Sequence, residues 1–319
     1  MNPEPLRKPA RRSPSALRIV LYTLAAVILL GILIILVGAL AFTIADRTNG
    51  KIITSGETRR YLLHVPRNID LSQPVPLVIT FHGFAQWPAN QKNVSQWNPV
   101  ADREGFIVVY PSGTNFPRRW HTSTGQGVEL EKDVAFINDL IDELQTGYNI
   151  DPARIYVNGL SNGGGMTFLL GCRLSERIAA TGGVGGAYMY PFDQCTPSRP
   201  VPMIIFHGTA NPIVPYYGGP SRSFELPFPS LPVWVRDRAA LNGCDPTPGL
   251  LPASGAVSGV QYSDCDTKAD VVFYTIEGGG HTWPGGRALP KKITGETNMD
   301  ISASETMWRF FQQYTLPQD

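Results

Sequence analysis

The chain has no CxxC pair, no cluster of histidines with cysteines, no internal repeat and almost no net charge, +1 over 319 residues. Each absence removes a class of function. Without clustered His and Cys ligands a zinc site has nothing to be built from, so no metal and no cofactor is expected. The balance of Lys+Arg 27 against Asp+Glu 26 gives no electrostatic case for a nucleic-acid partner. Lack of a repeat argues against solenoids and propellers. Cysteine is scarce as well, with four residues, all well beyond the N-terminal region. Their number and position fit an oxidising compartment. Four cysteines permit three pairings, and the chain order predicts Cys172–Cys195 and Cys244–Cys265.

Long runs that are apolar throughout are absent too, with one exception. Ile19 to Ala45 is a run of 27 residues without a charge, directly after a tail holding Arg7, Lys8, Arg11, Arg12 and Arg18 against Glu4. About 20 apolar residues span a bilayer core, whereas a signal-peptide core has about 7–15. The run therefore reads as an uncleaved transmembrane anchor, with the basic flank in the cytoplasm and everything after Asp46 outside. Ala39-Leu-Ala41 resembles a cleavage site, which leaves secretion after processing near Ala41 as the alternative. The expected organisation is a cytoplasmic tail at 1–18, the anchor at 19–45, a polar linker at 46–58 and one large domain at 59–319.

Within that domain strand and helix signals alternate. Arg60–Val65 reads as an edge strand, and Val75–Phe81, Phe106–Tyr110, Ile155–Val157, Ile178–Gly186, Val201–Phe206 and Val271–Ile276 as further strands. Val134, Ile137, Leu140, Ile141 and Leu144 mark one helical face, with Glu129, Asp133, Asp139 and Asp142 placed mostly towards solvent. Ser302–Glu305 is a capping box opening a last amphipathic helix. Residues 217–232 and 245–264 read as loops. The alternation predicts an α/β fold, a mostly parallel sheet with helices on both faces.

The chemistry centres on Gly159-Leu-Ser161-Asn-Gly163, between the strand ending near Val157 and the helix from Met166. Strand, sharp turn and helix are the setting of a nucleophile elbow, in which small neighbours let Ser161 adopt a strained backbone. The amide of Asn162, at the helix N-terminus, is then placed to donate to an oxyanion. A second donor is expected from the loop after Val75–Phe81, from the amide of Phe84 or Gly83, with His82 ordering that loop. A serine hydroxyl needs a base, and of the five histidines His281 sits best, after a strand and on a triple-glycine loop. The order Ser, acid, His is that of α/β-hydrolases. At the acid position, after Val201–Phe206, stands Asn211. Its amide oxygen can accept from the imidazole but cannot stabilise an imidazolium; Asp193 is the alternative carboxylate, with Glu277 after it. Trp120 and Trp283 are candidate substrate-binding aromatics, although Trp120 serves equally well as a loop plug.

Six ordered motifs carry a family resemblance: Thr80-Phe-His-Gly, Tyr110-Pro-Ser-Gly, Ile150-Asp-Pro-Ala-Arg-Ile-Tyr, Gly-Leu-Ser161-Asn-Gly-Gly, His207-Gly-Thr-Ala-Asn-Pro-Ile-Val-Pro-Tyr and Gly-Gly-His281-Thr-Trp-Pro-Gly. Over roughly residues 50–315 the chain resembles the secreted serine esterases that include polyhydroxybutyrate depolymerases, feruloyl esterases and acetylxylan esterases. The resemblance implies an α/β-hydrolase fold and extracellular ester hydrolysis through an acyl-serine, with Ser161 as nucleophile and His281 as base. The family pattern has Asp where this chain has Asn211. With only 50 residues from Ser161 to Asn211, no large cap fits between them, so an open site for a bulky or polymeric ester is expected. Two other readings stay open: a catalytically weak polysaccharide- or polyester-binding surface protein, and a serine peptidase.

Overall fold

A computed structural model describes residues 15–221 and 227–317. Two compact units are present, Met1–Ala45 and Asp46–Asp319. The first is the helix α1, Ala16–Ala45. Its segment Ala16–Gly38, 23 residues, is long and apolar enough to cross a membrane. At ~1.5 Å per residue it reaches about 35 Å, against a hydrocarbon core of ~30 Å. The helix starts three residues before the charge-free run and takes in Arg18; most of the basic tail lies outside the described residues.

The second unit follows the alternation. Its elements are β1 (Gly50–Thr54), β2 (Glu57–His64), β3 (Val75–Phe81), α2 (Pro88–Ser95), α3 (Trp97–Glu104), β4 (Ile107–Pro111), α4 (Gly127–Gly147), β5 (Ile150–Leu160), α5 (Asn162–Arg173), β6 (Ala180–Val184), β7 (Met203–Gly208), α6 (Leu231–Leu241), β8 (Gly249–Ser254), β9 (Val257–Tyr262), β10 (Val271–Ile276), α7 (Lys291–Thr294) and α8 (Ala303–Phe311). One sheet has the order β1-β2-β4-β3-β5-β6-β7-β10-β9-β8. The six central strands, β4 to β10 in that order, are parallel, and an antiparallel pair closes each edge.

Successive residues of β3 serve opposite faces, as a strand's period of two requires. Leu77, Ile79 and Phe81 join α4, α5 and α6 in one core layer, while Val78 joins α3 and α8 in the other. Tyr156 of β5 stacks on Phe311 of α8, ring centroids 5.0 Å apart, which locks the last helix onto the second face. The sheet with helices on both faces is the α/β-hydrolase architecture expected above.

Three expectations need correction. The stretch 46–58 is no linker: β1 lies in it and pairs with β2 from Gly50↔Tyr61 to Thr54↔Glu57. The segment 245–264 contains the hairpin β8–β9; its Gly, Pro and Ser content hid strands that lie at a largely exposed edge. Asp133 is buried, 1% exposed, not solvent-facing. Its spacing to Ile137, Leu140 and Leu144 is i, i+4, i+7 and i+11, so the helical period already placed it on the inner face.

Candidate active site

Strand β5 ends and α5 begins at Ser161, whose φ of 58° and ψ of −119° lie where side-chain-bearing residues are rare. The turn is possible because its neighbours have no side chains. A Cβ on Gly159 would lie 2.5 Å from the backbone of Gly163, and one on Gly163 only 2.3 Å from the carbonyl oxygen of Phe81. The strained serine is clasped from the other side by the 184–187 loop. Its N–H donates to Val184 O at 2.9 Å, and its carbonyl accepts from Ala187 N–H at 2.9 Å.

The same loop carries the contact with the histidine. A Cβ on Gly185 would stand 3.1 Å from Nδ1 of His281 and 3.4 Å from the side-chain nitrogen of Asn211. His281 and Asn211 are in contact after β10 and β7, and Ser161 follows β5 in the same sheet, so all three stand at the C-terminal strand ends, the edge at which open α/β sheets bind ligands. Among the described residues no hydrogen bond joins Ser161 Oγ to the His281 ring. Burial, with the neighbouring His207 adding to it, pushes the His281 imidazole down to about 3.

Asn211 decides the ring's tautomer. Its Oδ1 accepts from the backbone N–H of Ile213 (3.0 Å) and Val214 (2.9 Å), so its Nδ2 must face the other way. There it lies 3.0 Å from Nδ1 of His281 and 3.2 Å from Nε2 of His207. An amide nitrogen can only donate, so Nδ1 of His281 must be the acceptor and the ring proton sits on Nε2. That reverses the expectation that the amide oxygen would accept from the imidazole. His207 Nε2 also lies 2.9 Å from Val214 O, to which it can donate. Three donors thus face residue 211, the N–H groups of Ile213 and Val214 and Nε2–H of His207, an environment that suits a carboxylate better than an amide. Asp193 and Glu277 are exposed, and among the described residues neither forms a hydrogen bond or ion pair with His281.

The expected oxyanion donors border two loops. Gly83 N–H is taken by Gln86 Oε1 at 3.1 Å, which occupies one of the two candidate second donors. The side chain of Asn162 grips the backbone of Trp120, accepting from its N–H at 2.7 Å and donating to its O at 3.0 Å. Ala85 N–H donates to Arg118 O at 2.8 Å, joining the Gly83–Gln86 loop to the one bearing Trp120. His82 orders this junction as expected, pairing with Gly83 O and accepting from Gly113 N–H at 3.0 Å.

The two aromatics need reassignment. Trp120 is 1% exposed, packs edge-on against Phe81 and donates to His82 O at 3.1 Å. Trp283 is 0% exposed and donates to Ser304 Oγ at 3.1 Å. Neither offers a ring face to a ligand; both are packing residues whose N–H groups found internal partners. A buried network under the Trp120 loop went unread in the sequence. Asp133 accepts from Arg59 at 2.7 Å, and from the ring (2.8 Å) and backbone N–H (2.9 Å) of His121. Sulfur bridges join Cys172 to Cys195 and Cys244 to Cys265. Among the described residues no group of three or more His, Cys, Asp or Glu is placed to hold a metal ion.

Residues 59–192, which include the elbow, match the family model described as esterase PHB depolymerase. The chain carries an esterase domain, similar over those residues to that family. This esterase is 26% identical over 286 residues to feruloyl esterase D of Neurospora crassa, covering 83% of the chain and 87% of that protein. It is 28% identical over 271 residues to feruloyl esterase B of Piromyces equi, covering 81% of the chain but only 46% of that longer protein. Among solved structures, the acetyl xylan esterase of Aspergillus awamori superposes with a TM-score of 0.56 at 16% identity, over 82% of the chain and 98% of that protein. At that identity the likeness concerns the fold. Relatives and family together make the chain an ester hydrolase. Asn211 and His281 lie beyond the region matched by the family model.

Proposed function

We propose that this esterase cleaves carboxylic esters through an acyl-serine at Ser161. His281 takes the hydroxyl proton and returns it to the leaving alcohol; water then attacks the acyl-enzyme by the reverse route. The amides of Asn162 and Phe84 hold the oxyanion, each donor contributing roughly 3–4 kcal/mol to the transition state. The observation that carries this reading is the strained Ser161 at φ 58°, clasped by the loop that touches His281. The esters are of the plant-wall type, feruloyl or acetyl groups on polysaccharide, or of the polyhydroxyalkanoate type, in keeping with the family description and the named relatives. The basic tail, the apolar α1 and the two disulfides support a catalytic domain outside the cytoplasmic membrane, held by the helix or released by cleavage near Ala41. The test is turnover of p-nitrophenyl acetate and methyl ferulate, with fluorophosphonate labelling of Ser161. Equal turnover by the parent and Ser161→Ala would reject the mechanism.

Asn211 favours a second reading. With the proton of His281 on Nε2, the ring cannot accept from Ser161 until the amide turns over. In that case the same open edge serves mainly to hold a polymer, with hydrolysis slow. The Asn211→Asp variant separates the two readings, as argued below.

A further inference from the structure

Arg119 stands where the two oxyanion loops meet. Its N–H donates to Thr114 O at 3.0 Å and its carbonyl accepts from Thr114 N–H at 3.2 Å, so the backbone there is pinned. Its guanidinium lies 5.7 Å from the centre of the Phe84 ring. The next residue in the chain, Trp120, is the one gripped by Asn162. Arg119 thus borders the side chain of Phe84 and the backbone held by the side chain of Asn162.

Its neighbour Arg118 is neutralised, with Asp46 and Ser112 Oγ as partners. Arg119 is not: among the described residues no carboxylate pairs with it, and its buried Nε has no hydrogen-bond partner. A ring face attracts the cation but leaves that N–H unmatched. A partly buried, unpaired guanidinium on a pinned loop is a fork awaiting a planar anion, and a carboxylate matches its geometry.

We infer that Arg119 binds a carboxylate carried by the ester substrate, so that the preferred esters are acidic ones: half-esters, hydroxy-acid oligomers with a free acid end, or esters on uronic-acid polymers. This deepens the esterase reading and rests on the placing of Ser161 and Phe84, so the test must not depend on turnover. Binding is measured on Ser161→Ala, which holds the ester uncleaved, with p-nitrophenyl hemiglutarate against the neutral p-nitrophenyl valerate. The acid ester should bind about tenfold tighter, the worth of one charge-assisted pair. Added salt should weaken that preference. In Ser161→Ala/Arg119→Gln the preference should vanish, and in Ser161→Ala/Arg119→Lys, which keeps the charge but not the fork, it should return in part. Circular dichroism checks that each variant is folded, and the Lys variant alone suffices if the Gln variant is not. Equal binding of the two esters overturns the inference, whatever the turnover; so does displacement of the acid ester by inorganic phosphate more readily than by acetate. Tight acid-ester binding without Ser161-dependent hydrolysis would uphold the carboxylate site and sink the acyl-serine mechanism.

Discussion

The side-chain nitrogen of Asn211 lies 3.0 Å from Nδ1 of His281, donor against ring nitrogen, and this contact sets the resting tautomer of the proposed base. An aspartate at 211 would keep the acceptor bonds from Ile213 and Val214 and offer its second oxygen to Nδ1–H. It would also face His207 Nε2–H as an acceptor. Asn211→Asp should therefore raise kcat by about 10²–10⁴; the corresponding exchange in a serine-protease triad is worth about 10⁴. Steady-state hydrolysis of p-nitrophenyl acetate at pH 7–8 measures it. A variant as slow as the parent would mean that the tautomer is not what limits the reaction.

Acid should unfold this domain early. Burial pushes His82 and His207 down to about 4, and His281 to about 3, against an ordinary value of 6.5. The unfolded chain takes up these protons as pH falls through about 6.5, while the folded chain does so only near the lowered values. The stability these neutral rings contribute is thus complete above about 6.5 and is lost as pH drops towards 4. The slope is up to about 1.4 kcal/mol per pH unit for each ring. Denaturant midpoints at pH 8, 7, 6 and 5 should be flat over the first interval and fall over the last.

Gly185 has a φ of +53°, and a Cβ there would press on Nδ1 of His281 at 3.1 Å. Gly185→Ala should both strain the backbone and displace the ring from residue 211. The expected result is a loss of roughly 1–3 kcal/mol of stability with a fall in kcat larger than any change in KM. Thermal melting and steady-state kinetics on the same preparation separate the two effects. A variant with unaltered kcat would argue that the ring does not need its present position.

Asp133 is 1% exposed and takes the charge of Arg59, itself 3% exposed. Asp133→Asn keeps the shape but leaves the guanidinium buried without a counter-charge. Breaking one side of a buried pair costs about 3–5 kcal/mol. Because the network also holds His121, and through the chain Trp120 and Asn162, activity lost under native conditions should exceed what the unfolded fraction accounts for. Urea titration with activity measured at the same urea concentrations provides the comparison.

Much of this protein was dictated locally. Apolar runs flanked by turn residues gave the central strands, and small residues around Ser161 announced the elbow, because those patterns reflect constraints within a few residues. The charge-free run and its basic flank likewise announced α1 by length alone. The hairpin β8–β9 and the strand β1 owe their existence to pairing with β10 and β2, partners their own composition does not reveal. Burial of Trp120 and Trp283 depended on distant acceptors, His82 O and Ser304 Oγ, and so could not be read from aromatic identity. The orientation of Asn211 was beyond the sequence for the same reason. Chain order put an amide at that position, but only the backbone N–H groups of Ile213 and Val214 decided that its nitrogen, not its oxygen, meets the histidine.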